Sequence, residues 1–380
     1  MKSSRQIEII ELSERRSLSE LESTTSSLYP SLDIVNSNRY GNNAINNFSD
    51  ENNIDNQTAL SLEQKLFQGG AEFALNDYRK IVPKKAKAEK EKNIADYYGK
   101  FSTLYFQVSS AQEERDKIEA LFQNLKQRVA IVKKRTKIGR ERKADLYALE
   151  SQLFRLEADS YASLAQLRSA KTELLNFSGL ESLDSISENL DPLKLDLPKT
   201  VNLDTRPELK SLVYIHESSV LEAKIEKSSY YPQVDFGANY YIEKTELGRN
   251  DWDVSLNITL NLLDFGKRSS SVQSKNVTAS INRARLDYSR INAQRRWINY
   301  VDNFNSKKKE FRSIKQALKR SRTSYKEQLK DLKRGLVTQI EVIRSLDDVI
   351  SLEKLSIRSA LEVKSIYYQA NAYLGKYPKG

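Results

Sequence analysis

Tyr231-Pro232-Gln233-Val234-Asp235-Phe236 restates Tyr29-Pro30-Ser31-Leu32-Asp33-Ile34 at a spacing of 202 residues. Outward from it, Leu66-Phe67-Gln68-Gly69-Gly70 returns as Leu262-Leu263-Asp264-Phe265-Gly266, Gly139 as Gly335, and Gly179 as Gly375, each 196 residues later. One offset held over more than a hundred residues marks a duplicated unit. The step from 202 to 196 places the length difference in a loop between the Tyr-Pro strand and its partner. Units repeated at a fixed period complete a fold only together. The copies divide as 1–180 (a helix, a strand pair at 29–67, a helical hairpin at 71–178), a linker at 181–204, and 205–380 (a helix, a strand pair at 231–264, a hairpin at 267–375).

Composition narrows the class. The 380 residues contain only 12 Gly and 7 Pro, with 30% charged and 39% hydrophobic residues, which suits long helices whose faces are bathed in water. The net charge of +11 invites a nucleic-acid partner, but Lys and Arg are interspersed with Glu and Asp along helical stretches, so the charge reads as solvated faces and no nucleic acid is expected. Cysteine is absent, which removes disulfides, thiol chemistry and Cys-ligated metals. No run approaches the roughly 20 apolar residues of a membrane-spanning helix. Met1-Lys2 is basic, but Ile7-Glu8-Ile9-Ile10 is too short for the apolar core of a signal peptide.

Val254, Leu256, Ile258, Leu260 and Leu262 alternate with Ser255, Asn257, Thr259 and Asn261, the period of a strand with one apolar and one small-polar face. Val234, Phe236, Ala238 and Tyr240 run opposite, across a loop at 243–250, and Tyr230, Tyr231, Tyr240, Tyr241 and Trp252 mark the ends. The first copy repeats this with Leu32 and Ile34, then Leu60, Leu62 and Leu66, across an Asn-rich connector at 41–56. A soluble sandwich also alternates, but it would bring more strands, and here helices flank each pair. Aromatic-ended strands of about ten residues fit a transmembrane barrel. Four strands cannot close, and open edges are a liability. Two copies would give a plugged eight-strand barrel; three would give twelve strands and room for a channel.

Two stretches of nearly seventy residues, Ala71–Lys137 and Lys267–Lys333, read as helices about 100 Å long at 1.5 Å per residue. Pro83 is expected to kink or split the first, and Ala279, its counterpart, predicts no break in the second. Returning helices are expected at 140–177 and 336–374. There Leu146, Leu153, Leu156 and Leu167 become Val342, Val349, Leu352 and Val363, one coiled-coil stripe kept in both copies. The turns at Gly139 and Gly335 are ringed by basic residues, among them Lys133, Lys134, Arg135 and Arg140, then Lys326, Lys330, Lys333 and Arg334. Solvated charge and a docking surface both fit that pattern.

This plan resembles the TolC-like outer-membrane factors, the exit ducts of tripartite efflux and type I secretion systems. The matching residues are Tyr231-Pro232-Gln233-Val234, the strand and turn at 254–266, and Arg334-Gly335-Leu336-Val337 leading into Ile340-Glu341-Val342. Their first-copy partners are Tyr29-Pro30-Ser31-Leu32, 66–70, and Ile138-Gly139-Arg140 leading into Asp145-Leu146. The resemblance covers essentially the whole chain. It implies a mostly helical mixed fold, a homotrimer whose twelve-stranded barrel meets outer-membrane lipid, and a long helical barrel in the periplasm. Tyr231, Pro232, Val234, Trp252, Leu256 and Ile258 then belong to the barrel strands, and 181–200 with the C-terminus to a belt around the helices. It implies passive transport of small molecules or proteins, no cofactor, and two partners. A periplasmic adaptor (membrane fusion protein) would dock at Gly139, Arg140, Gly335, Leu336 and Val337, and an inner-membrane RND or ABC transporter would supply the cargo. The family's periplasmic entrance is narrowed by acidic rings after the second tip. Glu341 matches the first position, Arg344 replaces an acid at the next, and Asp145 stands at the first-copy position. Three copies of one charge around a narrow ring set a strong field, so Arg344 makes the ring mixed or self-paired. Aligned by the repeat, the chain starts near the beginning of its first copy, so a signal peptide and a short leading segment are expected to be missing from it.

Other functions fit less of the chain. No catalytic or metal site is expected: His216, the single histidine, stands without clustered carboxylates, and Asp347-Asp348 are adjacent and point to different helix faces. A soluble coiled-coil scaffold or membrane adaptor explains the helices but leaves the two strand pairs without a role.

Overall fold

The computed structural model describes residues 4–41, 53–186, 190–244 and 251–377. In chain order the elements are α1 (Arg5–Ser26), β1 (Ser31–Gly41), β2 (Asn53–Gln68), α2 (Ala71–Lys137), α3 (Lys143–Ser178), α4 (Pro207–Lys227), β3 (Gln233–Lys244), β4 (Trp252–Thr259), α5 (Lys267–Lys333) and α6 (Gln339–Tyr373), with three short 3-10 turns. The order helix, strand, strand, helix, helix therefore occurs twice. Contacts group the chain into two units, one of Leu12–Lys90 and Glu208–Ser289, the other of Met1–Glu11, Glu91–Pro207 and Arg290–Gly380.

The first of these units holds the sheet. Its four strands are antiparallel in the order β1-β2-β3-β4. Register turns the sequence alternation into a surface. Leu32 pairs with Leu62 and Ile34 with Leu60; Leu62 pairs with Ala238 and Leu60 with Tyr240; Ala238 pairs with Val254, Phe236 with Leu256 and Val234 with Ile258. Directly paired residues share a face, so one face is apolar across all four strands. That face is bare: Ile34 is 72% exposed, Ile258 68% and Trp252 63%. The opposite face carries Asp33, Ser61, Asn239 and Asp253, where Asn239 and Tyr241 both donate to the Asp253 carboxylate (3.0 and 2.6 Å). A soluble sheet buries its apolar face; this one presents it to its surroundings.

Two strand boundaries differ from the sequence reading. β4 ends at Thr259, so Leu260 and Leu262 keep the alternation but leave the sheet. The reason is the partner: β3 begins at Gln233, paired with Thr259, and Pro232 before it has no N–H to continue the ladder. β2 begins at Asn53, inside the stretch expected to be connector, because its backbone pairs with β1 out to Gly41. Asn36 supports that extension by donating to the side chains of Asn56 (3.0 Å) and Thr58 (2.9 Å). The rest of the expected connectors, 42–52 and 245–250, lies outside the described residues.

The strand-to-helix turns separate the copies. Gly69 has φ +63°, and a Cβ there would stand 2.3 Å from the Ser228 carbonyl oxygen, so only glycine fits. Phe265 holds the equivalent place at φ 51° and is 93% exposed, tolerating a conformation that costs an ordinary residue about 1–2 kcal/mol. α2 then runs unbroken through Pro83. The expected split does not occur: Pro83 and Arg79, whose carbonyl loses its donor, are both exposed, so the missing bond falls on the exposed side of the helix. Val82 and Ala86 on either side are buried and hold the helix in place. His216 on α4 lies against the α5 backbone, its Nδ1 3.2 Å from the Ala279 oxygen, a structural contact.

The second unit is built from heptads. Tyr97, Leu104, Ala111, Ile118, Leu125 and Val132 of α2 recur every seven residues, and all are buried. Ile118, Leu125, Leu149, Leu156, Ile343 and Ile350 form one core from three helices. Each fully buried leucine contributes about 1.5–3 kcal/mol. The stripe expected in both return helices is there except at one place: Leu156, Leu167, Val342, Val349 and Val363 are buried, with Leu146 and Leu153 packed alongside, while Leu352 is half-buried at the edge of a groove between α5 and α6. The buried Glu353 carboxylate is paired with Arg322 (Nε to Oε1, 2.8 Å), and at its margin Asp159 pairs with Lys354 (2.8 Å). The linker straps this bundle. Leu183 and Ile186 pack on the cluster around Leu167 and Phe177. Leu195, Leu197 and Val201 pack on Trp297 and Phe304, and the Trp297 indole donates to the Lys199 carbonyl (3.3 Å).

Candidate functional site

The two helical hairpins reverse in the same way. Gly139 and Gly335 adopt φ +73° and +75°, the left-handed region that closes a helix end. The next N–H caps the helix it leaves, Arg140 to the Arg135 carbonyl (2.9 Å) and Leu336 to the Asp331 carbonyl (3.0 Å). No atom would meet a Cβ on either glycine, so both tips are open. Arg140 and Leu336 are exposed and Val337 is half-exposed. All of them lie in the turns rather than in the return helices, which begin three residues later than the sequence reading placed them, at Lys143 and Gln339. The delay follows from the residues that start each helix.

At the second tip Thr338 is the N-cap. Its hydroxyl accepts from the Glu341 N–H (3.4 Å), and the Glu341 carboxylate accepts from the Thr338 N–H (2.6 Å) and hydroxyl (2.9 Å), a closed capping box. Those bonds, with a smaller contribution from the Arg344 charge, hold the Glu341 carboxyl below its ordinary range. At the first tip the equivalent residues are Arg142 and Asp145. Arg142 makes no side-chain cap. Instead its guanidinium grips Asp145 with two bonds, Nε to Oδ2 (2.8 Å) and Nη2 to Oδ1 (3.2 Å). The Asp145 side chain is 8% exposed, while Arg142 stays in solvent. Asp145 is therefore an occupied, buried anion, and Glu341 an exposed one.

Glu341, Arg344, Asp348, Ser351, Leu355, Arg358 and Glu362 are exposed along α6, at alternating steps of three and four that make one face. Arg344 lines a groove with Glu341, Asp348 and Ser351 on one side and Arg320, Ser324 and Gln328 of α5 on the other. Among the described residues Arg344 forms no salt bridge within 4.0 Å. The polar α5 wall of this groove was not legible from the sequence, because the buried stripe of Trp297, Phe304, Phe311 and Leu318 marks the packed side of α5 but not which of its polar residues lie beside α6. Asp347 and Asp348 diverge as adjacency requires: Asp347 accepts from Gln152, and Asp348 faces the groove. The start of α6 is pinned to α2 through Arg128, which donates to the Gln339 side chain (3.2 Å).

The residues expected in barrel strands lie far along the chain from these tips. Val234, Leu256 and Ile258 belong to the apolar sheet face, Trp252 ends it, and exposed Tyr231 with Pro232 introduces β3. Among the described residues no group of acidic side chains or histidine could hold a metal ion, and no helix is long and apolar enough to cross a membrane.

Long heptad helices joined to a small sheet with a bare apolar face and unpaired edges are the architecture of outer-membrane channels. The sequence model of the outer membrane efflux protein family matches residues 1–180 and 202–349, and the chain belongs to that family. No curated protein matches it by sequence. Among solved structures it is similar to the CmeC outer membrane channel of Campylobacter jejuni, at 14% identity and a TM-score of 0.85 over 98% of this chain and 84% of that one. It is also similar to the outer membrane protein VceC of Vibrio cholerae (14%, 0.82, 98% and 93%). The open-state MtrE outer membrane channel of Neisseria gonorrhoeae gives 12% and 0.79, over 98% and 86%. At these identities the likeness establishes the fold. The chain is an outer-membrane efflux channel protein.

Proposed function

We propose that three copies of this chain assemble into a passive duct, their four-stranded sheets closing a twelve-stranded barrel in outer-membrane lipid and their hairpins forming a helical barrel in the periplasm. The observation that carries this reading is the sheet itself: an apolar face continuous over four strands is exposed, and both edge strands lack a second neighbour among the described residues. Lipid covers such a face at no cost in polar groups, and pairing between copies satisfies the edges. A soluble scaffold would leave the same face in water.

In this duct the copies 1–180 and 205–380 form the two repeats of each protomer, and 181–204 straps the helices as an equatorial belt. The open tips at Gly139–Arg140 and Gly335–Val337 are the docking points for a periplasmic adaptor, which joins the duct to an inner-membrane RND or ABC transporter. The exposed Leu336 and Ile138 supply the apolar contact there and the surrounding lysines and arginines the charge. Glu341 and Arg344 narrow the entrance, and Asp145, neutralised by Arg142, contributes packing rather than field. Because Glu341 is engaged by Thr338 while Arg344 has no salt-bridge partner, the ring is less cation-attracting than two acidic rings would be.

The test is conductance of the purified duct in a planar bilayer under a salt gradient. Arg344→Asp is expected to shift the reversal potential toward cation selectivity. An unchanged reversal potential removes Arg344 from the constriction, and absence of any conducting unit rejects the duct.

A further inference from the structure

A second groove, of about 700 Å³, opens elsewhere in the helical unit, walled by α2, α5 and α6 and closed at one end by Leu190, Asp191 and Pro192 of the linker. Its size falls in the range of small-molecule sites. Six cations line it: Lys117, Lys315, Lys319, Arg322, Lys326 and Lys364. Of the three carboxylates that also face it, Glu353 is bound by Arg322 and Asp191 accepts from the Leu193 N–H (3.0 Å). With Arg322 and Glu353 cancelling, Glu113 and Asp191 are left to face five lysines. Lys117, Lys319 and Lys326 form no salt bridge among the described residues.

The bland explanation is a solvated charged face. Two observations weigh against it. Lys315 with Lys319 is a like-charge pair four residues apart, with no salt bridge to either among the described residues, an arrangement that destabilises a helix unless an anion compensates. The fold does not impose it either: 196 residues earlier, at the positions of Lys315, Lys319, Arg322 and Lys326, the first copy has Glu119, Gln123, Lys126 and Ala130. The groove floor is also apolar, formed by Phe311, Leu318 and Ile357. Charge at the rim over an apolar floor selects a ligand with both characters.

We propose that this groove binds a small amphiphilic organic anion, its carboxylate, phosphate or sulfate held by Lys117, Lys319 and Lys326 and its apolar body resting on Phe311, Leu318 and Ile357. The site is independent of the duct reading and of the Glu341–Arg344 entrance, since it is built within one chain. The test is isothermal titration of the full chain in an uncharged maltoside detergent with 1-naphthyl phosphate, against inorganic phosphate and 1-naphthol. Saturable binding of one 1-naphthyl phosphate per chain is expected, at least about tenfold tighter than either reference. K319E/K326E is expected to weaken it at least about tenfold, while the charge-matched K84E/K87E leaves it unchanged. K117Q, on a different helix, should weaken it by itself if the double variant fails to fold. No saturable binding, equal binding of inorganic phosphate, or wild-type affinity in folded K319E/K326E or K117Q overturns the proposal.

Discussion

The two hairpin tips turn on the same left-handed glycine and then start their return helices by different chemistry. At the second, Thr338 and Glu341 satisfy each other's backbone and leave an exposed carboxylate beside Arg344. At the first, the equivalent Arg142 and Asp145 form an ion pair that sinks the acid into the bundle. Duplication fixed the path of the backbone and left the capping residues free to diverge. One tip became the polar end of an open groove, while the other became packing. In a duct of three protomers the entrance charge would then come chiefly from the second copy.

The comparison breaks most easily in the cores behind the tips. Leu149 is fully buried in the first hairpin, and its counterpart 196 residues on is Ser345. Leu149→Ala should cost about 2–5 kcal/mol, whereas Ser345→Ala, which removes one small buried hydroxyl, should cost at most about 1 kcal/mol. Denaturant midpoints followed by helical circular dichroism measure both, and equal costs would mean the hairpins are packed alike. At the glycines the tips should be indistinguishable. Gly139→Ala and Gly335→Ala meet no neighbouring atom, so each should cost only the backbone strain of about 1–2 kcal/mol. A much larger loss at one tip would show that it is covered in the assembly and the other is not.

The caps give the smallest and sharpest contrast. Thr338→Ala should cost about 1 kcal/mol at the second tip. The same tip should also sense acid. Because the Glu341 carboxyl is depressed in the folded state, its stabilisation is complete above the ordinary glutamate range and lost as pH falls through the lower folded value. Amide exchange in the first turn of α6 should therefore accelerate at low pH, and Glu341→Gln should flatten that dependence. If the dependence persists in Glu341→Gln, another group governs the turn.

The helices and strand pairs were legible because burial demands repetition. The heptads of α2 and the alternation of β3 and β4 each place apolar residues at one period over many residues, and such a signal survives local exceptions. What escaped the sequence was set by a single partner. β4 stops at Thr259 because Pro232 ends the facing strand, not because its own pattern changes. Pro83 sits inside α2 without splitting it because the bond it removes falls on the exposed side of the helix, between exposed Arg79 and Pro83. Asp145 and Glu341 look alike as acids three residues into a helix. Their burial differs because one is preceded by an arginine long enough to fold over it and the other by a threonine that caps. The second groove was missed for a related reason: its lysines are dispersed over three helices, and in sequence each looks like solvated charge.

The most direct test of the account is the native mass of the full chain, exported behind a working secretion signal, extracted from outer membranes and sprayed from detergent. A detergent-dependent species of three times the 43.7 kDa of one chain is expected. A monodisperse monomer or dimer that stays in solution without detergent would contradict it, because the apolar face of the sheet would then have no lipid to cover it and its edges no neighbouring copies to pair with.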